Sequence, residues 1–194
     1  MAVRRILFCG EPVLRKKAKK VRRIDDALLA LLDDMVVTML NEPGIGLAAP
    51  QVGESVRAIV VGELGEDDDE EMIVHKLLNP RIVEGEGEIE GSEGCLSLPT
   101  LQGIVVRPER VVVEALGPDG EALSMEGIGL MARALCHEID HLNGKLFIDR
   151  AEPDSLAWMI PDDSDERGYR LASVSPADAV AAFQRLVEKA RAES

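Results

Sequence analysis

His137-Glu138-Ile139-Asp140-His141 constrains this chain more than any other stretch. It lies in a run, residues 127–143, that reads as a helix stopped by Asn143-Gly144. Residues i and i+4 of a helix share a face, so both imidazoles are aimed at one spot. Two histidines held this way are a ready pair of metal ligands, and the glutamate beside them can handle a proton of a water at the metal. Catalytic sites of this kind use three protein ligands and keep one position for water, so a third ligand must be brought to this helix from elsewhere.

Downstream, the chain follows the long metallopeptidase pattern H-E-x-x-H-x-x-G-x-x-H as far as Gly144. The next ligand position is Phe147, which cannot bind a metal. Glu152 and Glu166 are downstream carboxylates outside any clear helical frame. Upstream, Glu93-Gly94-Cys95-Leu96-Ser97-Leu98-Pro99 sits between two strand-like segments. A thiolate there is a strong soft ligand for zinc or iron. Taken alone, a free cysteine is most often a small buried hydrophobe; in a chain that carries H-E-x-x-H, Cys95 is the stronger candidate. The three cysteines are an odd number and suggest no disulfide framework. Cys9 and Cys136 read as packing residues, and His75 as a lone histidine of a strand-like segment.

Aromatic residues make up only 3% of the chain, so its core must be built from Leu, Val, Ile and Ala. Residues 25–40 form an amphipathic helix with Asp25 or Asp26 as its cap and Pro43-Gly44 as its stop. Residues 44–53 read as a loop. They formally match G-x-G-x-x-A, but that dinucleotide fingerprint needs a strand before it and a helix after it; here a helix precedes and a strand-like run, 56–61, follows. An acidic loop spans 63–71. Strand-like segments follow at 72–78, 81–90, 103–106 and 111–116, and Pro118-Asp119-Gly120 turns the chain into 122–125. Leu146-Phe147-Ile148 is expected to pack against the sheet. Beyond Pro153, a hairpin of 158–160 and 169–174 precedes a last helix, started by Ser175-Pro176 and running to about residue 192. The expected class is α+β: antiparallel or mixed β-sheets packed around the central H-E-x-x-H helix, with an N-terminal and a C-terminal helix. Residues 1–194 are expected to form one domain, with 154–194 as a C-terminal extension.

The formal net charge of −14 argues against a broad nucleic-acid footprint, and no specific DNA binding is expected. One stretch runs the other way. Residues 15–23 are densely basic, and read either as a solvated surface or as an electrostatic contact with RNA or another acidic partner. No apolar run is long enough to span a bilayer and the start of the chain lacks a signal-peptide pattern, so a cytoplasmic protein with no membrane partner is expected.

Three stretches, in order and spacing, resemble the motifs of the peptide deformylases. Gly44-Ile45-Gly46-Leu47-Ala48-Ala49-Pro50-Gln51 is similar to G-x-G-x-A-A-x-Q, Glu93-Gly94-Cys95-Leu96-Ser97 to E-G-C-L-S, and His137-Glu138-Ile139-Asp140-His141 to H-E-x-D-H. Gly10-Glu11-Pro12-Val13-Leu14-Arg15 resembles the family's opening, and the likeness runs over about residues 4–150. It implies a metal-dependent hydrolase that removes the N-formyl group from the formylmethionine of nascent polypeptides and releases formate. Cys95, His137 and His141 would bind one divalent ion, iron(II) in cells, with nickel or zinc as alternatives. Glu138 would be the general acid/base; Gln51 and the backbone N–H of Leu96 would stabilise the oxyanion. Ile45, Gly46, Glu93 and Leu130 match positions around the substrate backbone and methionine pocket, and Arg107 matches an arginine near the substrate. Pro50 replaces a common Thr, Cys136 a common Gln, and Arg133-Ala134 an apolar pair. Asp140 reads either as a partner that orients a ligand or as a salt-bridged brace of the helix. In the family, C-terminal extensions can dock on the ribosome, but here Arg185, Lys189 and Arg191 are mixed with Glu188 and Glu193. Two other readings remain at this point: a metallopeptidase with a downstream third ligand, and a catalytically inactive metal-binding module, which would want a fourth protein ligand and have no need of Glu138 or Gln51.

Overall fold

The computed structural model describes residues 1–63, 65 and 72–192, so most of the acidic loop expected at 63–71 lies outside the described residues. Helix α1 (Asp26–Leu40) starts where Asp25 accepts a hydrogen bond from the Leu28 N–H at 3.1 Å. It buries one face: Leu28, Leu31, Leu32, Met35 and Met39.

Among the described residues, nine strands follow in two sheets. Strands β1 (Gly46–Ala48), β2 (Ala58–Glu63), β3 (Ile73–Glu86), β6 (Arg110–Leu116) and β7 (Ala122–Ile128) form one, in the order β1-β2-β3-β6-β7. Strands β4 (Ile89–Cys95), β5 (Leu98–Arg107), β8 (Ala157–Pro161) and β9 (Tyr169–Ser173) form the other in chain order. Every strand pair among the described residues is antiparallel. Helix α2 (Leu130–Leu142) carries the H-E-x-x-H, and α3 (Pro176–Ala192) ends the described chain.

Strand β2 shows how the layers are set. Successive side chains of a strand point to opposite faces. Ile59 and Val61 pack with Leu135, Ile139 and Leu142 of α2, while Ala58 and Val60 pack with α1. The larger sheet is therefore covered by a helix on each side, and α2 is anchored along its apolar edge. A third cluster joins Leu98, Leu101 and Val105 of the smaller sheet to Leu146, Phe147 and Ile148, as the apolar run suggested. The C-terminal hairpin adds to this sheet through Leu101–Trp158 and Gln102–Ala157 pairing. Ser175 Oγ then caps α3 by accepting from the Asp178 N–H at 3.1 Å, and Phe183 packs on Trp158.

Some boundaries differ from expectation. The segments 72–78 and 81–90 are not separate, because β3 runs through Asn79-Pro80. Asn79 takes a left-handed φ of 52°; its backbone N–H donates to Arg57 C=O at 2.8 Å, and its side-chain amide ties this point to Val21, accepting from Val21 N–H and donating to Val21 C=O, both at 2.9 Å. The result is a bulge rather than a strand end. The stretch 44–53 is more ordered than a loop, holding β1 and a 3-10 turn, Ala49–Val52. The H-E-x-x-H helix begins at Leu130, not at residue 127, because residues 127 and 128 still pair with Val111 and Arg110.

Candidate active site

Strand β4 ends on Cys95, where the β4–β5 register slips and Leu96-Ser97 turns the chain back. Helix α2 faces this turn with His137 and His141. The three candidate ligand atoms lie within 4.8 Å of one another, with Cys95 Sγ 3.2 Å from His141 Nε2. No fourth His, Cys, Asp or Glu joins the group among the described residues; neither Glu152 nor Glu166 does. Three candidate ligands with no fourth among the described residues match the composition of an open, catalytic site. Phe147, the residue that interrupts the metallopeptidase pattern, stacks on the His137 ring with centroids 6.3 Å apart.

Behind the ligands lies a buried ionic network. Glu93 Oε2 accepts from His137 Nδ1 at 2.9 Å, which leaves His137 Nε2 for the ligand position. Arg107 grips Glu93 with a two-pronged contact, Nε to Oε1 at 2.8 Å and Nη2 to Oε2 at 2.9 Å. Its Nη1 donates to Asp140 Oδ2 at 2.6 Å, and Arg150 closes the chain on Asp140 through Nε and Nη2 at 2.5 and 2.7 Å. Burial opposes the charge on Glu93, but the bonds from Arg107 and His137 outweigh it and hold the carboxyl at about 2. Arg107 is likewise held above the ordinary guanidinium range: burial works against its charge, and Glu93 and Asp140 more than offset it. The two histidines of the cluster diverge. Burial opposes protonation of His137, yet bonds to Cys95 and Glu93 raise its proton affinity well above normal; burial and the neighbouring His137 charge push His141 well below.

The front of the site is different. Glu138 is buried at 4% exposure, and its Oε2 has no hydrogen-bond partner. Burial pushes its carboxyl up to about 7. The backbone at Gly46 approaches so closely that a Cβ there would sit 2.5 Å from Glu138 Oε1, so only glycine leaves this carboxyl room. Gln51 is buried with its amide fixed: Oε1 accepts from Ala48 N–H at 2.8 Å, which turns Nε2 toward Ser97 Oγ at 3.3 Å and Cys95 Sγ at 3.6 Å. All of this opens onto a cavity of about 980 Å³, whose wall includes Ile45, Gly46, Gln51, Glu93, Leu96 and Leu130.

Arg107, which the resemblance places near the substrate, is 3% exposed and does not line the cavity; two buried carboxylates occupy its guanidinium. Asp140 braces the helix from within this network. Arg133, noted in the sequence only as a departure, proves to be bonded to Glu93 at 2.9 Å. Its position four residues before His137, on the same helix face, was the available signal.

The donor set fits a metal. The only two buried side-chain polar atoms without a partner among the described residues, Glu138 Oε2 and His141 Nδ1, belong to residues at the Cys/His/His cluster. Fold and site together define a class: a hydrolase with a single metal centre, whose helix-borne H-E-x-x-H pair is completed by a cysteine from a strand end. The profile of the polypeptide deformylase family matches residues 3–156. The peptide deformylase of Natranaerobius thermophilus is 54% identical over 153 residues, 78% of this chain and 94% of the relative. A crystal structure of a peptide deformylase from Legionella pneumophila superposes with TM-score 0.75 at 36% identity, covering 100% of this chain and 99% of the other. Another, from Acinetobacter baumannii with Met-Ala-Ser bound, gives TM-score 0.71 at 38% identity over 77% of this chain and 98% of the other. The chain belongs to the polypeptide deformylase family, hydrolases that remove the N-formyl group from nascent polypeptides.

Proposed function

We propose that Cys95, His137 and His141 hold one divalent metal ion, with Glu138 as the acid/base of formamide hydrolysis and Gln51 and the Leu96 N–H as oxyanion donors. The observation that carries this reading is the Glu138 carboxyl: buried, unpartnered, and next to the ligand histidines at the cavity wall. When bound, the ion supplies Lewis acidity, making water nucleophilic near neutral pH and polarising the formyl oxygen. Glu138 Oε2 takes the proton as water adds to the formyl carbon. Gln51 Nε2 donates to the oxygen that becomes negative, and its amide cannot rotate away because Ala48 N–H holds the other end. Glu138 then returns the proton to the leaving nitrogen as the C–N bond breaks, giving formate and a free N-terminal methionine.

Ile45, Gly46 and Leu130 line the space for the methionine side chain and the peptide backbone. The Met-Ala-Ser bound in the Acinetobacter relative supports a peptide in the matching cavity here. The thiolate–imidazole set suits iron(II), zinc or nickel, and iron(II) is the proposed ion in cells on the strength of the family resemblance. Anaerobic reconstitution with iron(II), followed by formate release from a formyl-Met peptide beside its acetyl counterpart, tests the function. Formate without acetate is expected; no formate with any divalent metal would sink it.

Residues 1–194 are proposed as one folded unit, supported by the pairing of β8 with β5. The proposed location is the cytoplasm, where formylated chains emerge; no helix among the described residues is long and apolar enough to cross a membrane. The exposed Lys16, Lys17, Lys19, Lys20, Arg22 and Arg23 lie on a segment pinned by Ala18 N–H to Leu142 C=O at 2.9 Å and Arg57 N–H to Lys19 C=O at 2.8 Å. This fixed cationic strip supports a transient contact with ribosomal RNA. Co-sedimentation with ribosomes that falls steeply from low to moderate salt is expected, and no binding at either would remove the contact.

A further inference from the structure

An arginine on the wall of a substrate cavity ordinarily offers its charge to the ligand. Arg133 lines this cavity, yet its guanidinium is turned into the protein. Nη1 donates to Glu93 Oε1 at 2.9 Å, to Val105 C=O at 2.9 Å and to Gly91 C=O at 3.4 Å; Nη2 donates to Ile89 C=O at 2.9 Å. One side chain of α2 thereby grips the backbone of β4 and β5 together with the carboxylate that orients His137. The grip depends on a missing side chain, since a Cβ on Gly91 would lie 2.7 Å from Arg133 Nη2.

We propose that Arg133 is a positioning residue for the metal centre, acting through Glu93 on His137, and that Gly91 is its required counterpart. The inference rests on the reading of His137 as a metal ligand. Arg107 holds both oxygens of Glu93 from β5. Arg133 bonds Oε1 from α2 and adds a second anchor, which keeps Oε2 on His137 Nδ1 and Nε2 aimed at the ligand position. Lysine cannot substitute: one ammonium group cannot span the Ile89 and Val105 carbonyls and Glu93 together.

The test measures zinc affinity by chelator competition on Arg133→Met, Arg133→Lys, Gly91→Ala and the double variant Arg133→Met/Gly91→Ala, with fold checked by circular dichroism of the metal-free proteins. Arg133→Met should weaken zinc binding by about 10-fold, as loss of an outer partner of a ligand does, and Arg133→Lys should not restore it. Gly91→Ala should reproduce the loss by displacing the guanidinium, but should add less than about 2-fold once Arg133 is Met, because the two changes remove one interaction. With a short formyl-Met peptide, kcat should fall while KM stays near wild type, since the bonds of the Arg133 guanidinium go to Glu93 and to backbone carbonyls. A folded Arg133→Met or Gly91→Ala protein with wild-type zinc affinity overturns the proposal, as do fully additive losses. If Arg133→Met does not fold, Gly91→Ala alone decides. His137→Ala separates the two levels: undiminished zinc affinity there would remove the ligand reading itself, whereas a collapse there with an unchanged Arg133→Met would remove only the positioning role.

Discussion

Glu93 and Glu138 are buried to the same degree, 5% and 4% exposed, one bonded to His137 and the other next to it in sequence. One is held at about 2 and the other pushed to about 7. Burial raises both carboxyls and so does not distinguish them; only Glu93 has partners that outweigh it. Glu93 at the rear has two arginines and an imidazole on it, stays ionised, and serves as a fixed acceptor. Glu138 at the front has an oxygen with nothing on it and can exchange a proton near neutral pH. The pair shows how one helix can carry both a fixed and a reactive carboxyl neighbour: α2 sends Asp140 into the ionic network, Arg133 to that network at the cavity wall, and Glu138 to the cavity with its Oε2 unpaired.

The strongest break of this contrast is at the front. Glu138→Gln keeps the shape and removes the exchangeable proton, so kcat should fall by about 10² to 10⁴ while one metal ion per chain remains bound. Metal content by mass spectrometry and formate release check the two halves, and a variant that turned over normally would end the acid/base assignment. At the rear, Arg107→Leu should act on stability. It strips a buried cation from two buried carboxylates, and removing one partner of such a pair costs about 3–5 kcal/mol. Urea unfolding would show it; a change under about 1 kcal/mol would mean that the network contributes little.

The two carboxyls also predict opposite responses to pH in the metal-free protein. Glu93 is depressed, so its contribution is present above its ordinary value of 4.5 and is lost as pH falls from there toward about 2. Glu138 is raised, so the folded state holds a proton that the unfolded state releases, and stability declines as pH rises from 4.5 to about 7. Comparing wild type with Glu138→Gln isolates the second effect. The gap between them should open in favour of the variant across that window, reach on the order of 3 kcal/mol, and stay flat above it. A gap independent of pH would show that Glu138 is ionised throughout.

The front of the site was far more legible in the sequence than the rear. Cys95, His137, Glu138 and His141 stand out because helix periodicity and metal chemistry are local rules, readable at i, i+4 and from a single thiol. The chain's layers were also readable, since α1, α2, α3 and the β8–β9 hairpin carry their own caps, turns and apolar stripes. The placement of Arg107 was not, because whether it faces substrate or Glu93 depends on the pairing of Glu93 with Gly103 across β4 and β5, a long-range register that no local pattern reveals. The same holds for Arg133, whose seat exists only because Gly91 lies beneath it. Asn79-Pro80 looked like a strand boundary for a similar reason: the partner that rescues it, Val21, is far away in the chain.

The rear network itself should grade from core to surface, and its outer end sets the smallest expected effect. Arg150 makes two bonds to Asp140, as Arg107 makes two to Glu93, but the Arg150 side chain is 41% exposed where that of Arg107 is 3%. In Arg150→Ala, water can reach the vacated side, and Asp140 keeps the Arg107 bond at 2.6 Å. Solvent and salt already screen a pair with one half-exposed partner, so the loss should be about 0.5 kcal/mol and should shrink further at high salt. Arg107→Leu should show almost no such salt dependence, because no solvent reaches the charges it abandons. Urea titrations of both variants at low and high salt would measure the gradient. Equal losses, or a salt-sensitive Arg107→Leu, would mean that water penetrates the network and that Glu93 is not held by a dry ionic frame.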